Sequence, residues 1–196
     1  MFTGIIESVG IIEEVVSEGT NKSFWVRSSV SDELKPDQSV AHDGVCLTVE
    51  EVRDGSHKVT AVEETLQKTT LQMLDTGHSF NIERCLSLAA RLDGHMVQGH
   101  VDARGKCIER TEREGSWIYT FTFPLHYAPL IVEKGSVALN GISLTVFDVT
   151  TSSFRITVIP YTYAVTNIKN IGPGDFVNLE FDIIGKYVLR NQLLRN

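Results

Sequence analysis

The internal repeat constrains this chain more than any other feature. Residues 39–49 read SVAHDGVCLTV and return at 136–146 as SVALNGISLTV. The match runs on without a gap: Thr60 against Thr157, Thr65 against Thr162, Thr69 against Thr166, and Gly77, Asn81 and Glu83 against Gly174, Asn178 and Glu180. About a third of the positions in this stretch agree, more than an unbiased composition produces by chance. The openings of the halves match too, with Met1, Gly4, Ile6, Glu7 and Gly10 aligned to Met96, Gly99, Val101, Asp102 and Gly105. Such a period means one structural unit built twice. We read an N-terminal unit over 1–95, a C-terminal unit over 96–185 and a closing segment, 186–196, as a short helix.

Each unit reads mainly as strand. Val9–Val15, Ser23–Val26, Val45–Val49, Lys58–Val62 and Phe80–Ile82 are short β-branched or aromatic runs between Gly, Asp, Asn and Pro clusters. Trp117–Phe123, Ser143–Val149, Phe154–Ile159 and Phe176–Phe181 repeat the pattern. Many short strands at this spacing predict a mainly β fold of small closed barrels rather than alternating β and α units. Helices are expected near Ser31–Leu34, Glu64–Leu71, Leu125–Val132, Tyr161–Ile168 and Lys186–Arg195. In the last of these, Tyr187, Val188, Leu193 and Leu194 form an apolar pattern suited to packing on another subunit or on its own unit.

Composition excludes several classes of function. With 42% hydrophobic and 22% charged residues and a mean hydropathy of -0.03, the chain is that of an ordinary globular protein. No run approaches the roughly 18 apolar residues of a membrane span, and the opening MFTGIIESVG lacks a secretory pattern. Cys46, Cys85 and Cys107 are scattered, without CxxC pairing, so neither a disulfide framework nor a zinc knuckle is expected and a reducing cytoplasm fits. The first 95 residues carry eight basic and sixteen acidic side chains, the remainder ten and nine. Neither half has the basic excess of a nucleic-acid binder.

The repeated motif is where chemistry enters. In Val45–Val49 the side chains alternate, so Cys46 and Thr48 share one face; Ser143 and Thr145 take the same places in the second half. Small polar groups paired on a strand suit hydrogen bonding to a flat heterocycle or a polyol, although at a single barrel rim they serve equally to satisfy backbone groups. Their duplication, after Asp43-Gly44 and Asn140-Gly141, argues for two equivalent ligand sites. The differences between the copies then carry any division of labour: Ile5 faces His100, His42 faces Leu139, and Cys46 faces Ser143. Histidine moves protons near neutral pH, and a thiol or hydroxyl adds to an electrophilic carbon. A buried cysteine is more often inert packing. His95 and His100 lack a carboxylate at ligand spacing, so no metal is expected and structural or proton-transfer roles are preferred. Lys134 and Asp182 are readable either as a surface charge pair or as polar groups lining a cleft.

The opening Met1-Phe2-Thr3-Gly4-Ile5-Ile6-Glu7, the segment Gly94-His95-x-x-x-Gly99-His100-Val101 and the doubled Gly-x-[Cys/Ser]-Leu-Thr-Val together resemble the riboflavin synthase family over essentially the whole chain. The resemblance implies two six-stranded Greek-key barrels and a C-terminal helix, assembled as a homotrimer, with a lumazine synthase shell around it left open as a partner. It implies a cofactor-free dismutation of two molecules of 6,7-dimethyl-8-ribityllumazine. Carried over by position, the ligand segments are Gly4, Ile5 and Ile6; Cys46, Leu47 and Thr48; Thr60, Ala61, Val62, Glu63, Glu64 and Thr65; Gly99, His100 and Val101; Lys134; Ser143, Leu144 and Thr145; and Ile159, Pro160, Tyr161, Thr162, Tyr163 and Ala164. The polar residues implicated in turnover correspond to Ser39, Cys46, His100, Ser143, Thr145 and Asp182. The family's site pairs the N-terminal barrel of one subunit with the C-terminal barrel of a neighbour. The alternative is an antenna protein of the same fold, which binds the lumazine without converting it; those relatives lack a histidine at the His100 position. A flavin domain of the ferredoxin-reductase type would need a basic phosphate clamp that these segments do not contain.

Overall fold

The computed structural model describes residues 1–195. It contains two closed, antiparallel six-stranded barrels. The first comprises β1 (Ser8–Glu18), β2 (Asn21–Arg27), β3 (Ser39–His42), β4 (Val45–Arg53), β5 (Ser56–Ala61) and β6 (Ser79–Arg84). The second comprises β7 (Ala103–Arg113), β8 (Ser116–Thr122), β9 (Ser136–Leu139), β10 (Ile142–Phe147), β11 (Ser153–Val158) and β12 (Phe176–Phe181). Around the first barrel the order is β1-β2-β5-β4-β3-β6, and the second repeats it as β7-β8-β11-β10-β9-β12. Closure leaves no free sheet edge. Long β1 and β7 bend to close the barrels at matching irregularities, Ile12/Glu14 and Cys107/Glu109.

Alternation along the strands fills each barrel. Phe24, Val26, Val59, Phe80 and Ile82 are buried in the first, Phe121, Phe154, Ile156, Leu179 and Phe181 in the second. Each such side chain contributes roughly 1.5–3 kcal/mol of burial. The expected helices are present, the first four as shorter segments. Glu63–Lys68 (α1) and Pro160–Val165 (α2) are single α-helical segments, each followed by a 3-10 turn, Thr70–Met73 and Asn167–Asn170. Ser31–Glu33 and Leu125–Leu130 are 3-10 turns. The C-terminal helix α3 spans Ile183–Leu193 and starts three residues before the expected Lys186. Its start is set by Asp182, whose Oδ1 accepts from the Ile184 N–H at 2.9 Å. Asn196, inside the expected closing segment, lies outside the described residues.

A buried amide network joins the barrels about a pseudo-twofold axis. Asn81 Nδ2 donates to Asn140 O and Asn178 Nδ2 to Asp43 O, both at 3.0 Å. Asn81 Oδ1 accepts from the Asn167 N–H, and Asn178 Oδ1 from the Thr70 N–H, both at 2.7 Å. Phe2, Ala41, Val97 and Ala138 form a small apolar cluster beside it. This seam places the two repeated motifs in related positions.

Candidate functional site

Each motif strand is finished by a segment belonging to the other unit. The leader of the first unit crosses to the second barrel, where Gly4 O accepts from the Ser143 N–H at 2.8 Å. The segment preceding the second barrel crosses back, and Gly99 O accepts from the Cys46 N–H at 2.8 Å. Phe2 and Val97 pair where the two straps meet. Both crossings require glycine: Gly4 and Gly99 have φ of 79° and 81°, and a Cβ on either would stand 2.6 Å from the Cβ of Ser143 or Cys46.

A buried carboxylate clamps each strap to its own barrel. Glu83 accepts from Thr3 N–H at 2.7 Å, Gly4 N–H at 2.9 Å and the Thr3 hydroxyl at 2.7 Å. Glu180 accepts from the Gln98, Gly99 and His100 N–H groups at 2.6, 2.9 and 2.9 Å. Burial pushes both carboxyls up from their usual range, and the donated hydrogen bonds pull the other way. Sequence reasoning recognised both glutamates as repeat positions without giving them a role; the signal available was their spacing from the two strap glycines.

Two cavities follow from this construction. The N-barrel cavity, about 240 Å³, is lined by Val45, Cys46, Glu64, Thr65, Lys68, Thr69, Gly99, His100 and Val101. The C-barrel cavity, about 380 Å³, is lined by Ser143, Leu144, Thr145, Phe147, Thr157, Ile159 and Thr162. The fold thus gathers Cys46, Glu64, Thr65, Gly99, His100 and Val101 at one cavity and Ser143, Leu144, Thr145, Ile159 and Thr162 at the other. Lys68, Thr69, Phe147 and Thr157 join them, although the sequence reading gave them no part in the site.

The remaining positions lie elsewhere. Ile5 and Ser39 line a separate groove of about 710 Å³ with Arg84 and Arg91. Ile6 packs on the second core, Leu47 and Ala61 are buried, and Thr48 is paired with Ser39 across β3 and β4. Thr60 shares a hydroxyl contact of 2.8 Å with Ser23, Val62 precedes α1, and Glu63 accepts from Gln67 Nε2. Pro160 begins α2, Tyr161 is exposed, and Ala164 O accepts from Lys169 Nζ at 3.1 Å. Tyr163 stacks on Trp117 with centroids 3.6 Å apart and is hydrogen-bonded to Arg110. Lys134 sits 3.8 Å from Glu133 and 5.2 Å from the Phe147 ring centroid, while Asp182 caps α3.

The cavities are chemically unequal. Burial pushes the Cys46 thiol up, and the hydrogen-bonded Ser39 partly opposes the rise, so Cys46 enters neutral solution as a thiol. Exposed His100 projects from the strap beside it. Glu64 and Lys68 form an ion pair of 2.7 Å on the same wall. The positions matching Cys46, Glu64 and Lys68 hold Ser143, Tyr161 and Val165; of these Ser143 lines the C-barrel cavity, where Phe147 and Ile159 give an apolar wall.

The model of the Lumazine binding domain matches residues 3–85 and again 98–182. Riboflavin synthase of Actinobacillus pleuropneumoniae is 37% identical over 189 residues, covering 96% of this chain and 88% of that protein. The chain belongs to the riboflavin synthase family. The Mycobacterium bovis riboflavin synthase is also 37% identical, with 97% of both chains covered, and the Bacillus subtilis one is 34% identical over 97% of this chain and 89% of its own length. A crystal structure of LumP complexed with riboflavin superimposes with a TM-score of 0.86 over 92% of this chain and 99% of that one; at 18% identity it shows the shared fold. The family's doubled domain is the doubled barrel described above.

Proposed function

We propose that the chain catalyses the dismutation of 6,7-dimethyl-8-ribityllumazine: one molecule gives a four-carbon unit to a second, yielding riboflavin and 5-amino-6-ribitylamino-pyrimidinedione. The observation that carries this reading is the inequality of two cavities built on one motif, with Cys46 and His100 at one and Ser143 and Thr145 at the other. A protein that only held two ligands would gain nothing from that difference. The lumazine's C7 methyl is acidic because its anion delocalises into the ring, so the protein's tasks are proton handling and placement. Holding two rings together makes the encounter effectively unimolecular, a gain of roughly 7–11 kcal/mol at best. His100 moves protons, Cys46 with Ser39 assists addition or departure, and Ser143 and Thr145 orient the second ring. Asp182 supports the C-barrel site from the start of α3, and exposed Lys134 contacts substrate on assembly.

The unit boundaries 1–95 and 96–185 mark two lumazine-binding units, with 186–196 as the oligomerisation segment. A homotrimer brings the N-barrel cavity of one subunit to the C-barrel cavity of the next. Exposed Ile184, Tyr187, Val188 and Leu193 on α3 support association. The three free cysteines fit a cytoplasmic enzyme. Mixing the purified protein with the lumazine alone tests the reading. Growth of riboflavin absorbance without added cofactor is expected; unchanged lumazine fluorescence with no flavin would instead mark an antenna protein.

A further inference from the structure

Behind the C-barrel cavity stands a side chain outside the ligand motif. His95 is 9% exposed, and its ring Nδ1 lies 2.6 Å from Ser143 Oγ. Its backbone N–H donates to Thr3 O at 3.0 Å, while Ser143 N–H is held by Gly4 O at 2.8 Å. The backbones of His95 and Ser143 are therefore both held by neighbouring carbonyls of the first unit's leader, which sets the imidazole against the hydroxyl. Burial lowers the basicity of His95, with Asp182 acting in the opposite direction.

A free serine hydroxyl rotates and serves as donor or acceptor by turns. An imidazole nitrogen that occupies one of those roles leaves the other for a ligand. At the matching position in the first barrel, Cys46 is met by Ser39 instead. We infer that His95 is a positioning residue of the C-barrel cavity, fixing the Ser143 hydroxyl so that a single hydrogen-bonding role faces the bound ring. This rests on the reading of that cavity as a lumazine site.

The test is a riboflavin titration of the full chain, followed by the backbone amide signals of Thr145 for one cavity and Thr48 for the other, together with steady-state turnover. His95→Leu should weaken binding reported by Thr145 about tenfold and leave the Thr48 response unchanged. His95→Asn, whose amide reaches the Nδ1 position, should restore most of the loss. Adding His95→Leu to Ser143→Ala should cost no further affinity, because the ring acts through that hydroxyl. Equal losses at both cavities, full additivity with Ser143→Ala, or no recovery with asparagine would overturn the assignment. Where the leucine variant folds poorly, the asparagine and alanine variants decide by the same additivity. Wild-type protein with no Thr145 response would overturn the reading of the cavity itself, and the assignment with it.

Discussion

Inside the first barrel a histidine pair stands where the second barrel has hydrocarbon. His42 and His57 are fully buried, whereas their counterparts are Leu139 and Phe154. Their Nε2 atoms are 2.8 Å apart, His42 Nδ1 lies 3.2 Å from Val40 O, and His57 Nδ1 lies 2.8 Å from Ser31 Oγ. His42 Nδ1 donates to the Val40 carbonyl, which can only accept, and one proton is shared between the two Nε2 atoms. Burial disfavours the charged form of both rings. Asp43, the buried carboxyl at the seam, likewise replaces Asn140. The same scaffold is built twice, and the buried histidine pair and the seam carboxylic acid belong to the N-terminal copy alone. Duplication preserved the strand order and the straps, and left side chains free to diverge.

The largest effect expected from this asymmetry is on turnover. His100→Gln should lower kcat by about 10²–10⁴-fold, the range of general acid–base catalysis, while riboflavin affinity changes little. Rapid-mix kinetics and a binding titration check it, and wild-type kcat in that variant would make the two cavities functionally alike. Next comes Asp43. Desolvation pushes its carboxyl up to about 7, against hydrogen bonds from Asn81 and Asn167. Its folded value is raised above the unfolded one, so its contribution to stability is complete below about pH 4 and is lost as pH rises through about 7. Asp43→Asn should therefore stabilise the protein by a few kcal/mol at pH 8 and by little at pH 4, as measured by denaturant unfolding.

The histidine pair works in the opposite sense. Burial lowers His57 to about 4 and His42 well below its ordinary value. Depressed folded values mean stability that is present above about pH 6.5 and lost as pH falls through about 4. His42→Leu combined with His57→Phe, copying the second barrel, should flatten this acid limb, with a relative gain of about 4 kcal/mol at pH 5, roughly 2 per histidine, if the new side chains pack. Urea melts at pH 5 and 7 compare the limbs. Gly99→Ala should cost roughly 1–2 kcal/mol for the left-handed backbone alone and should disturb the N-barrel cavity first; Gly4→Ala should do the reverse. Amide shifts of Thr48 and Thr145 distinguish the two.

What the sequence made legible follows from periodicity. The 97-residue spacing between SVAHDGVCLTV and SVALNGISLTV, and the alternation of Val45, Leu47 and Val49, encode local geometry that a linear reading recovers. Strands β3 and β9 escape a linear reading because four-residue segments such as Ser39–His42 are too short to show a period, and β7 escapes it because Ala103–Arg113 is mostly charged, without a β-branched or aromatic run. The straps repeat as sequence, but their crossing leaves no trace there: Gly4 meets Ser143 and Gly99 meets Cys46 only through closure of the barrels. For the same reason Glu83 and Glu180 show only as matched repeat positions without a visible role, and the His95–Ser143 contact joins positions 48 apart in the chain. The motif residues at the cavities were legible because chemistry repeats with the scaffold; Tyr163, turned onto Trp117, shows that membership of a ligand segment does not fix which way a side chain faces.

Calorimetric titration with a lumazine analogue that cannot react tests the central claim most directly. Two unequal sites per chain are predicted, with Cys46→Ser and Ser143→Ala each altering a different one. A single site per chain, or two sites that respond identically to both substitutions, would contradict it.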